Sequence, residues 1–298
     1  MEKIRKNKKV IAVFLIPAVL IYLCFELIPV VMSVYFSFND WPGLQAVPLK
    51  FVGFKNYSNL FHNAVFLKSL QNVLIYVVVS VILQVPIGFG LGLLIHHFKK
   101  GQRFFKAAFF IPMILSVTAV ALLWNFIYFP TDKGILNSLL IKIGLGNYIQ
   151  QWLVNPKTSL ICLIVVSTWT SVGYYMIICL AGLTSIPDSV LEAGELDGAT
   201  GWKKIWNLYI PMLWEPLKMS TIMVITGVLK IFDTVYILTP TGGTSNCTIV
   251  PALLMYNEAY RYGHYGTGSA IATVIFVLCA AVSIFSLILM NQKESIEY

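Results

Sequence analysis

The sequence predicts an all-α integral membrane protein with six transmembrane helices. The 298-residue chain is 58% hydrophobic and 11% charged, whereas about a quarter of the residues of a soluble domain are charged. Six apolar stretches reach the ~20 residues needed to cross the hydrocarbon core. Basic residues flank these stretches instead of forming a patch with interleaved aromatics. The net charge of +8 therefore indicates membrane orientation and not nucleic-acid binding.

The predicted spans follow one another in a single domain. In chain order they cover residues 10–36, 70–98, 107–129, 158–183, 216–238 and 267–290. The basic start of the chain resembles a secretory signal, but the first apolar run is longer than the ~7–15 residues of a signal core. Glu26 and Pro29 also lie where a cleavage site would be expected. We therefore expect a retained first helix, whose Glu26 reaches the outer interface or takes part in packing.

Lysine and arginine in the short loops predict the orientation. Residues 1–9 contain five of them and residues 99–106 contain four. Both segments lie on one side of the membrane if six helices alternate, and basic loops are retained in the cytoplasm. The sequence therefore predicts a cytoplasmic basic tail over 1–9, a six-span domain over 10–290 and a cytoplasmic tail over 291–298.

Glycines and turn signals add local expectations. Gly88, Gly90 and Gly92 follow Pro86 in the second span, where small residues allow close helix packing in a bilayer. In the outer loop after the third span, the apolar spacing over 135–143 predicts a short helix that ends at Gly144. The five cysteines are scattered without a CxxC pair or a Cys/His cluster, so neither a metal site nor a disulfide framework is indicated.

The inner loop over 184–215 is acidic, unlike the other inner segments. Its pattern predicts a helix, a thin turn and a second helix. Ser185 is a candidate N-cap for the first helix, and Gly198 is suited to end it in a left-handed conformation. Thr200 is a candidate cap for the second helix, and Pro211 is expected to close it.

This loop carries a specific resemblance. The segments Glu192-Ala193-Gly194, Asp197-Gly198-Ala199 and Leu208-Tyr209-Ile210-Pro211 resemble the EAA loop of bacterial ABC importer permeases. In that family, Glu-Ala-Ala is followed by three residues, Gly, nine residues and Ile-x-Leu-Pro. The spacing is kept here. Gly194 replaces the second Ala, and the two aliphatic positions exchange their types.

Other segments resemble the carbohydrate-uptake branch of that family, and in particular its maltose-type first permease. They are Phe14-Leu15-Ile16-Pro17-Ala18, Ser37-Phe38-Asn39-Asp40-Trp41, Phe51-Val52-Gly53-Phe54-Lys55-Asn56-Tyr57, Phe109-Phe110-Ile111-Pro112 and the segment from Phe232 to Thr239. After Thr239 the branch usually continues Gly-Gly-Gly-Pro. Inserted residues before Gly242 depart from it and leave the outer end of the fifth span open.

The resemblance implies a type I ABC importer permease fold in a bacterial cytoplasmic membrane. Its implied partners are a second homologous permease, a cytoplasmic ATPase dimer and an extracellular or periplasmic sugar-binding protein. The implied ATPase-coupling residues are Glu192, Ala193, Gly194, Asp197, Gly198, Ala199, Ile210 and Pro211. This chain has no G-x-x-x-x-G-K-[ST] phosphate loop. We therefore expect no enzymatic activity and no cofactor in it, with ATP and Mg on the partner ATPase.

Polar and aromatic residues within the spans are candidates for a substrate path. Aromatic rings stack on pyranose faces, and amide or hydroxyl groups satisfy sugar hydroxyls, although packing or interface anchoring explains many membrane aromatics. The candidates are Asn125, Trp169, Tyr174, Tyr175, Asp233 and Tyr236. Lys230 and Asp233 are three residues apart, so on one helix they would share a face and could pair.

Three alternatives stay open at this point. The same importer class could carry glycerol phosphates or another small solute, and anionic cargo predicts cationic path residues such as Lys230. An ion-coupled secondary carrier would use Lys230 and Asp233 and would need no ATPase. A scaffold protein would leave transport unchanged on deletion. A membrane hydrolase has no candidate residues, because no HExxH, G-x-S-x-G or paired-carboxylate pattern occurs.

Overall fold

The computed structural model describes residues 8–44, 46–98 and 101–290, and within them the chain is mostly helical. The chain divides into two compact units. The first contains the residues up to Ala64 together with Leu254–Phe276, and the second contains Val65–Leu253 together with the residues from Val277 onward. The predicted tail over 291–298, and all of the tail over 1–9 except Lys8 and Lys9, lie outside the described residues.

The elements follow in this order. Helix α1 consists of Lys8–Tyr22, a π segment Leu23–Leu27 and Ile28–Ser37; strands β1 and β2 are Asn39–Asp40 and Lys50–Phe51; the next helices are α2 (Lys55–His62), α3 (Ala64–His97), α4 (Gln102–Ile114), α5 (Val117–Ile127), α6 (Ile135–Lys142), α7 (Ser159–Thr184) and α8 (Asp188–Leu196). Helix α9 is Trp202–Met212, with a π segment over Ile205–Tyr209. It is followed by α10 (Trp214–Leu229), α11 (Asp233–Leu238), α12 (Pro251–Tyr256 continued by the π segment Asn257–Arg261) and α13 (Tyr265–Met290).

Four of the described helices are long and apolar enough to cross a membrane. They are α1 over Val13–Ser37, α3, α7 and α13 over Tyr265–Ser286. Two further helix pairs pass the same test together, namely α4 with α5, bent by 98°, and α9 with α10, bent by 73°. The described residues therefore contain four candidate spans, or six if each bent pair counts as one, and the count of six stays a prediction.

The third and fifth predicted spans are wrong as continuous helices. Between α4 and α5, Ser116 is extended (φ −62°, ψ 142°) and its hydroxyl accepts the N–H of Ala119, so it caps a new helix. In the fifth span, α10 ends at Leu229 and α11 begins at Asp233. Hydropathy alone does not detect the break at Ser116, because Leu115 and Val117 on either side of it are apolar.

Two helices contain a π segment directly before an Ile-Pro pair. The segments are Leu23–Leu27, followed by Ile28-Pro29, and Ile205–Tyr209, followed by Ile210-Pro211. In each, the isoleucine N–H donates to the carbonyl five residues earlier. A proline ring crowds the carbonyl four residues before it, and the wider turn accommodates it. The prediction that Pro211 closes its helix is therefore wrong, since α9 continues to Met212.

In the first unit, one asparagine fixes the chain after α1. The side chain of Asn56 is buried and donates to the carbonyls of Ser37 (2.8 Å) and Asn39 (3.0 Å). The Ser37 hydroxyl lies 2.6 Å from the Tyr57 hydroxyl. β1 pairs antiparallel with β2, with Asn39 opposite Phe51. These contacts give a structural reason for the Asn-Tyr pair at the end of the 51–57 motif.

In the second unit, α7 is packed on two sides through glycines. A Cβ at Gly88 or Gly92 of α3 would lie within 3.4 Å of α7 atoms, at Tyr175–Met176 and Met176–Leu180 respectively. On another side, a Cβ at Gly173 would overlap the carbonyl oxygen of Phe109 in α4. The expectation of close glycine packing is confirmed for Gly88 and Gly92. It is wrong for Gly90, whose Cβ would meet nothing within 4 Å.

Candidate functional site

The loop over 184–215 ends its first helix with a glycine cap. Gly198 has φ +82°, and its N–H donates to the carbonyl of Glu195 (3.1 Å) while the N–H of Ala199 donates to the carbonyl of Gly194 (2.8 Å). These two bonds form a Schellman motif. A Cβ at Gly194 would lie 3.3 Å from Leu208, so the two helices of the loop approach closely there. The prediction that α8 ends at Gly198 is confirmed.

Both predicted N-caps of this loop are wrong. Helix α8 begins at Asp188 after Pro187, with no side-chain cap, and the Ser185 hydroxyl instead donates to the carbonyl of Gly182 (2.7 Å). Helix α9 follows Gly201, which has φ +54°, and Thr200 contributes its backbone carbonyl, which accepts from the N–H of Lys203. The Ser185 hydroxyl is thus used at the end of α7 and is not available to cap α8.

A small apolar cluster attaches the loop to the spans. Leu183, Ile186 and Leu213 are buried together, one from the end of α7, one from the loop and one from the bend between α9 and α10. The partly buried residues that pack against them are Phe89, Leu93, Val190, Leu191, Tyr209, Met212 and Leu217. A Cβ at Gly182 would lie 2.5 Å from Leu213, which shows how closely the bend sits on α7. The base of the loop is therefore packed against α3, α7 and α10.

The tip of the loop is exposed on the surface of the chain. Of the eight predicted coupling residues, Glu192, Ala193, Asp197, Gly198 and Pro211 are exposed, whereas Gly194, Ala199 and Ile210 are half-buried. Three large apolar side chains near them are also exposed, namely Leu196 (90%), Trp202 (74%) and Trp206 (63%). Sequence reasoning assigned the two tryptophans to a helix but missed their exposure. Apolar side chains around a thin turn are typical of a protein contact surface.

One ion pair joins the two helices of the loop. Lys204 Nζ donates to Glu195 Oε1 at 2.6 Å and lies 5.6 Å from the centre of the Tyr209 ring. The hydrogen bond to Glu195 raises the pKa of Lys204. Because the carboxylate is half exposed, this pair orients the second helix more than it stabilises the chain.

The helices that carry the path candidates pack together in the second unit. α5, α7 and α11 contact one another, and they carry Asn125, Trp169 and Tyr236 respectively. Asn125 and Tyr236 are half-buried, and Tyr236 stacks on Phe232 with ring centres 5.1 Å apart. The structure therefore brings three of the predicted residues onto one group of helices.

A residue that sequence reasoning missed lies in this group. Trp124 of α5 packs its ring 5.8 Å from Trp169 and 5.1 Å from Tyr128. Its indole nitrogen is buried and has no hydrogen-bond partner among the described residues. A buried donor without an acceptor is costly, and this one could donate to a ligand only after the aromatic rings around it shift. In the sequence Trp124 differs from other span tryptophans in nothing that reveals this.

The other path candidates have mixed surroundings. The Tyr174 hydroxyl contacts the sulfur of Met223 at 3.9 Å, and its ring lies 5.6 Å from that of Tyr175. Tyr175 is buried (7%) against Gly88, which indicates packing, and its role in a path stays a prediction. Asp233 is exposed at the start of α11.

The predicted Lys230–Asp233 pair on one helix face is wrong. Lys230 lies after the last residue of α10, whereas Asp233 is the first residue of α11. No ion pair joins the two side chains. The break between the helices removes the i, i+3 geometry on which the expectation rested.

A side chain of α3 helps to order the segment after α11. Asn72 donates through Nδ2 to the carbonyls of Asn246 (2.9 Å) and Ile249 (2.8 Å). Ser245 and Asn246 both have positive φ (54° and 58°), a rare conformation for non-glycine residues. The outer end of the fifth predicted span, which the sequence leaves open, is thus a compact turn.

Comparisons with known proteins agree with one another. The sequence model of the family described as "Binding-protein-dependent transport system inner membrane component" matches residues 84–293. The chain is 36% identical to the probable ABC transporter permease protein YurN of Bacillus subtilis, over 95% of this chain and 97% of that protein. It is 32% identical to the lactose transport system permease protein LacF of Rhizobium radiobacter, over 92% and 90% of the two chains. It resembles a chain of a bacterial alginate ABC transporter, solved in complex with an alginate pentasaccharide-bound periplasmic protein, with TM-score 0.81, 21% identity and coverage of 96% and 94%.

Proposed function

This chain belongs to the family of binding-protein-dependent transport system inner membrane components, and we propose that it is a permease subunit of an ATP-driven, binding-protein-dependent importer of sugars, with oligosaccharides as its cargo. Its similarity to a lactose permease over nearly the whole of both chains supports a sugar cargo. The likeness to the alginate transporter chain supports the fold.

The observation that carries the proposal is the exposed tip of the 184–215 loop. Its turn at Gly198 is thin, is exposed and is surrounded by exposed Leu196, Trp202 and Trp206. Its base is fixed to the ends of α7 and α10 through Leu213 and its neighbours. A rigid projection of this kind transmits a push from a docked protein to the membrane helices.

The docked protein in this proposal is a cytoplasmic ATPase dimer that binds ATP and Mg. Glu192 and Asp197 make polar contacts with it, while Gly198 and Ala199 allow its surface to approach the turn. The remaining residues assigned to this contact are Ala193, Gly194, Ile210 and Pro211. The loop itself, with α9, then lies on the cytoplasmic side, as do both chain termini, and the fifth of six crossings is made by α10 and α11 over residues 216–238.

A second, homologous permease completes the translocation path. A sugar-binding protein outside the membrane delivers the cargo to the group of helices α5, α7 and α11. Asn125, Trp169 and Tyr236 lie on these helices, with Trp124 supplying the free indole donor. Tyr174, Tyr175 and Asp233 complete the set of candidate path residues. Aromatic faces and uncharged donors suit a sugar. A phosphate ester would need cationic side chains, and Lys230 is the one cation proposed for this path.

Co-purification with transport assays tests the proposal. The tagged chain, expressed with its neighbouring genes, is solubilised in mild detergent, and the complex is reconstituted in vesicles with the binding protein and candidate oligosaccharides. We expect a second permease and an ATPase to co-purify, with ATP hydrolysis stimulated by the loaded binding protein. Recovery of this chain alone, with uptake that follows an ion gradient, would overturn the proposal in favour of a secondary carrier.

A further inference from the structure

Helix α1 carries a carboxylate on a surface that the described chain leaves uncovered. None of the side chains from Val13 to Phe36 is buried, although this stretch is apolar enough to cross a membrane. Glu26 lies within it, is exposed, and forms no hydrogen bond or ion pair with any described residue. An ionisable side chain in a membrane helix is costly unless it faces a partner or water.

The position of Glu26 excludes a simple contact with the outer interface. Tyr35, Phe36 and Trp41 mark that end of the helix, with the rings of Phe36 and Trp41 4.8 Å apart. The nine residues from Glu26 to Tyr35 extend roughly 14 Å at the rise of an α-helix. A glutamate side chain, with two methylene groups, is much shorter than this distance. Its carboxylate therefore needs a partner at its own depth.

The backbone around Glu26 is also irregular. Glu26 belongs to the π segment Leu23–Leu27, in which the N–H of Ile28 donates to the carbonyl of Leu23. Pro29 has no N–H to donate. The carbonyl of Cys24 thus loses the two donors that an α turn or a π turn would give it. Short π segments inside helices are frequent at functional sites. Both polar groups at this depth are acceptors, so a surface that covers them must supply hydrogen-bond donors.

We propose that Glu26 pairs, within the membrane, with a cationic or amide-bearing side chain on a helix of the second permease. This inference rests on the proposed function, which supplies that partner. A second copy of this chain fits poorly, because in a two-fold contact α1 would face the same stretch of its copy, and Val13–Phe36 contains no cationic or amide side chain that could pair with Glu26. Lipid tails fit poorly as well, because they have no donors.

Substitutions of Glu26 test the pairing in the complete importer. Glu26→Leu removes the carboxylate and favours membrane insertion, so we expect normal amounts of the tagged chain in membranes. The second permease recovered with it should fall roughly three- to twentyfold, the range for polar contacts between membrane helices. Glu26→Gln, which keeps an acceptor, should lose less. Phe25→Leu changes an exposed neighbour (76%) and serves as the matched control with unchanged assembly.

A suppressor screen then identifies the partner residue. Glu26→Lys should abolish uptake, and variants of the second permease that restore it should replace a basic or amide residue in a membrane helix by an acidic one. Full assembly and uptake in Glu26→Leu would overturn the inference. Full assembly with lost uptake would also overturn it, because the carboxylate would then face the cargo path. Glu26-dependent recovery of a second copy of this chain would replace the second permease by a homodimer contact.

The proposed function and this inference fail in different ways. If the unaltered chain recovers no second permease, the proposed function fails and the pairing falls with it. If the unaltered chain recovers the second permease and Glu26→Leu recovers it equally, the pairing alone is refuted.

Discussion

Replacing Gly198 by aspartate distinguishes an effect on docking to a partner from an effect on the fold of the 184–215 loop. Gly198 has φ +82°, and a Cβ there would meet nothing within 4 Å. The substitution therefore costs this chain only the left-handed conformation, about 1–2 kcal/mol for an ordinary residue and less for aspartate. A loss of coupling beyond that cost has to arise from a partner that fits against the turn.

The chain contains a matched control for this substitution. Gly144 ends α6 with φ +80°, and a Cβ there would also meet nothing within 4 Å. Its N–H donates to the carbonyl of Ile141 (3.0 Å), and the N–H of Leu145 donates to the carbonyl of Leu140 (2.8 Å), the same cap as at Gly198. Gly144→Asp thus carries the same intrinsic cost outside the proposed docking surface.

The assay is ATP hydrolysis by the reconstituted importer, with and without the sugar-loaded binding protein. We expect Gly198→Asp to lower the stimulated rate by roughly 5- to 150-fold, the usual size of a coupling effect. Gly144→Asp should stay within about twofold of the unaltered protein, as for most surface substitutions. The apparent melting temperatures of the two variants should agree within roughly 2–4 °C.

Two results would refute this reasoning. Normal stimulation in Gly198→Asp would mean that no partner surface approaches the turn. Equal losses in the two variants would mean that strain in a glycine cap, and not docking, accounts for the effect. Gly198→Asn, which adds a side chain of the same size without charge, distinguishes steric exclusion from repulsion by the added carboxylate.

Three further predictions concern the second unit. Gly173→Ala should lower stability by about 1–3 kcal/mol because its Cβ overlaps an α4 carbonyl, whereas Gly227→Ala, whose Cβ meets nothing within 4 Å, should be neutral or gain up to about 1 kcal/mol; thermal denaturation in detergent compares them. Trp124→Phe removes an unpartnered buried donor, so we expect stability within about 1 kcal/mol of the unaltered chain and sugar uptake lowered roughly two- to tenfold; unchanged uptake would remove Trp124 from the path. Asn72→Leu should cost about 1–3 kcal/mol for each carbonyl that loses its donor, while Gln71→Leu, at an exposed neighbouring position, should not shift the melting curve; equal shifts would contradict the role assigned to Asn72.

Features with a strong local cause were predictable from the sequence. Long apolar runs located α3, α7 and α13, because such runs are typical of helices that cross the hydrocarbon core of a membrane. The caps at Gly144 and Gly198 followed from glycine after an amphipathic stretch. The family motif pointed to the 184–215 loop, whose tip is indeed exposed.

Features decided by tertiary contacts were not predictable. The break at Ser116 lies among apolar residues, so hydropathy runs through it. Gly88 and Gly90 are equivalent as residues, and only the side of α3 on which α7 packs distinguishes them. The unpartnered donor of Trp124 depends on what surrounds it, which the sequence does not encode locally.

The helix breaks near Ser116 and between Leu229 and Asp233 restrict what can surround the chain at these positions. A break leaves amide groups outside the regular helical ladder, and hydrocarbon offers them neither donors nor acceptors. These short stretches therefore have to lie against protein or against a column of water, never against lipid tails. Their amide hydrogens should consequently exchange with deuterated solvent much faster than those in the unbroken turns of α3 and α7.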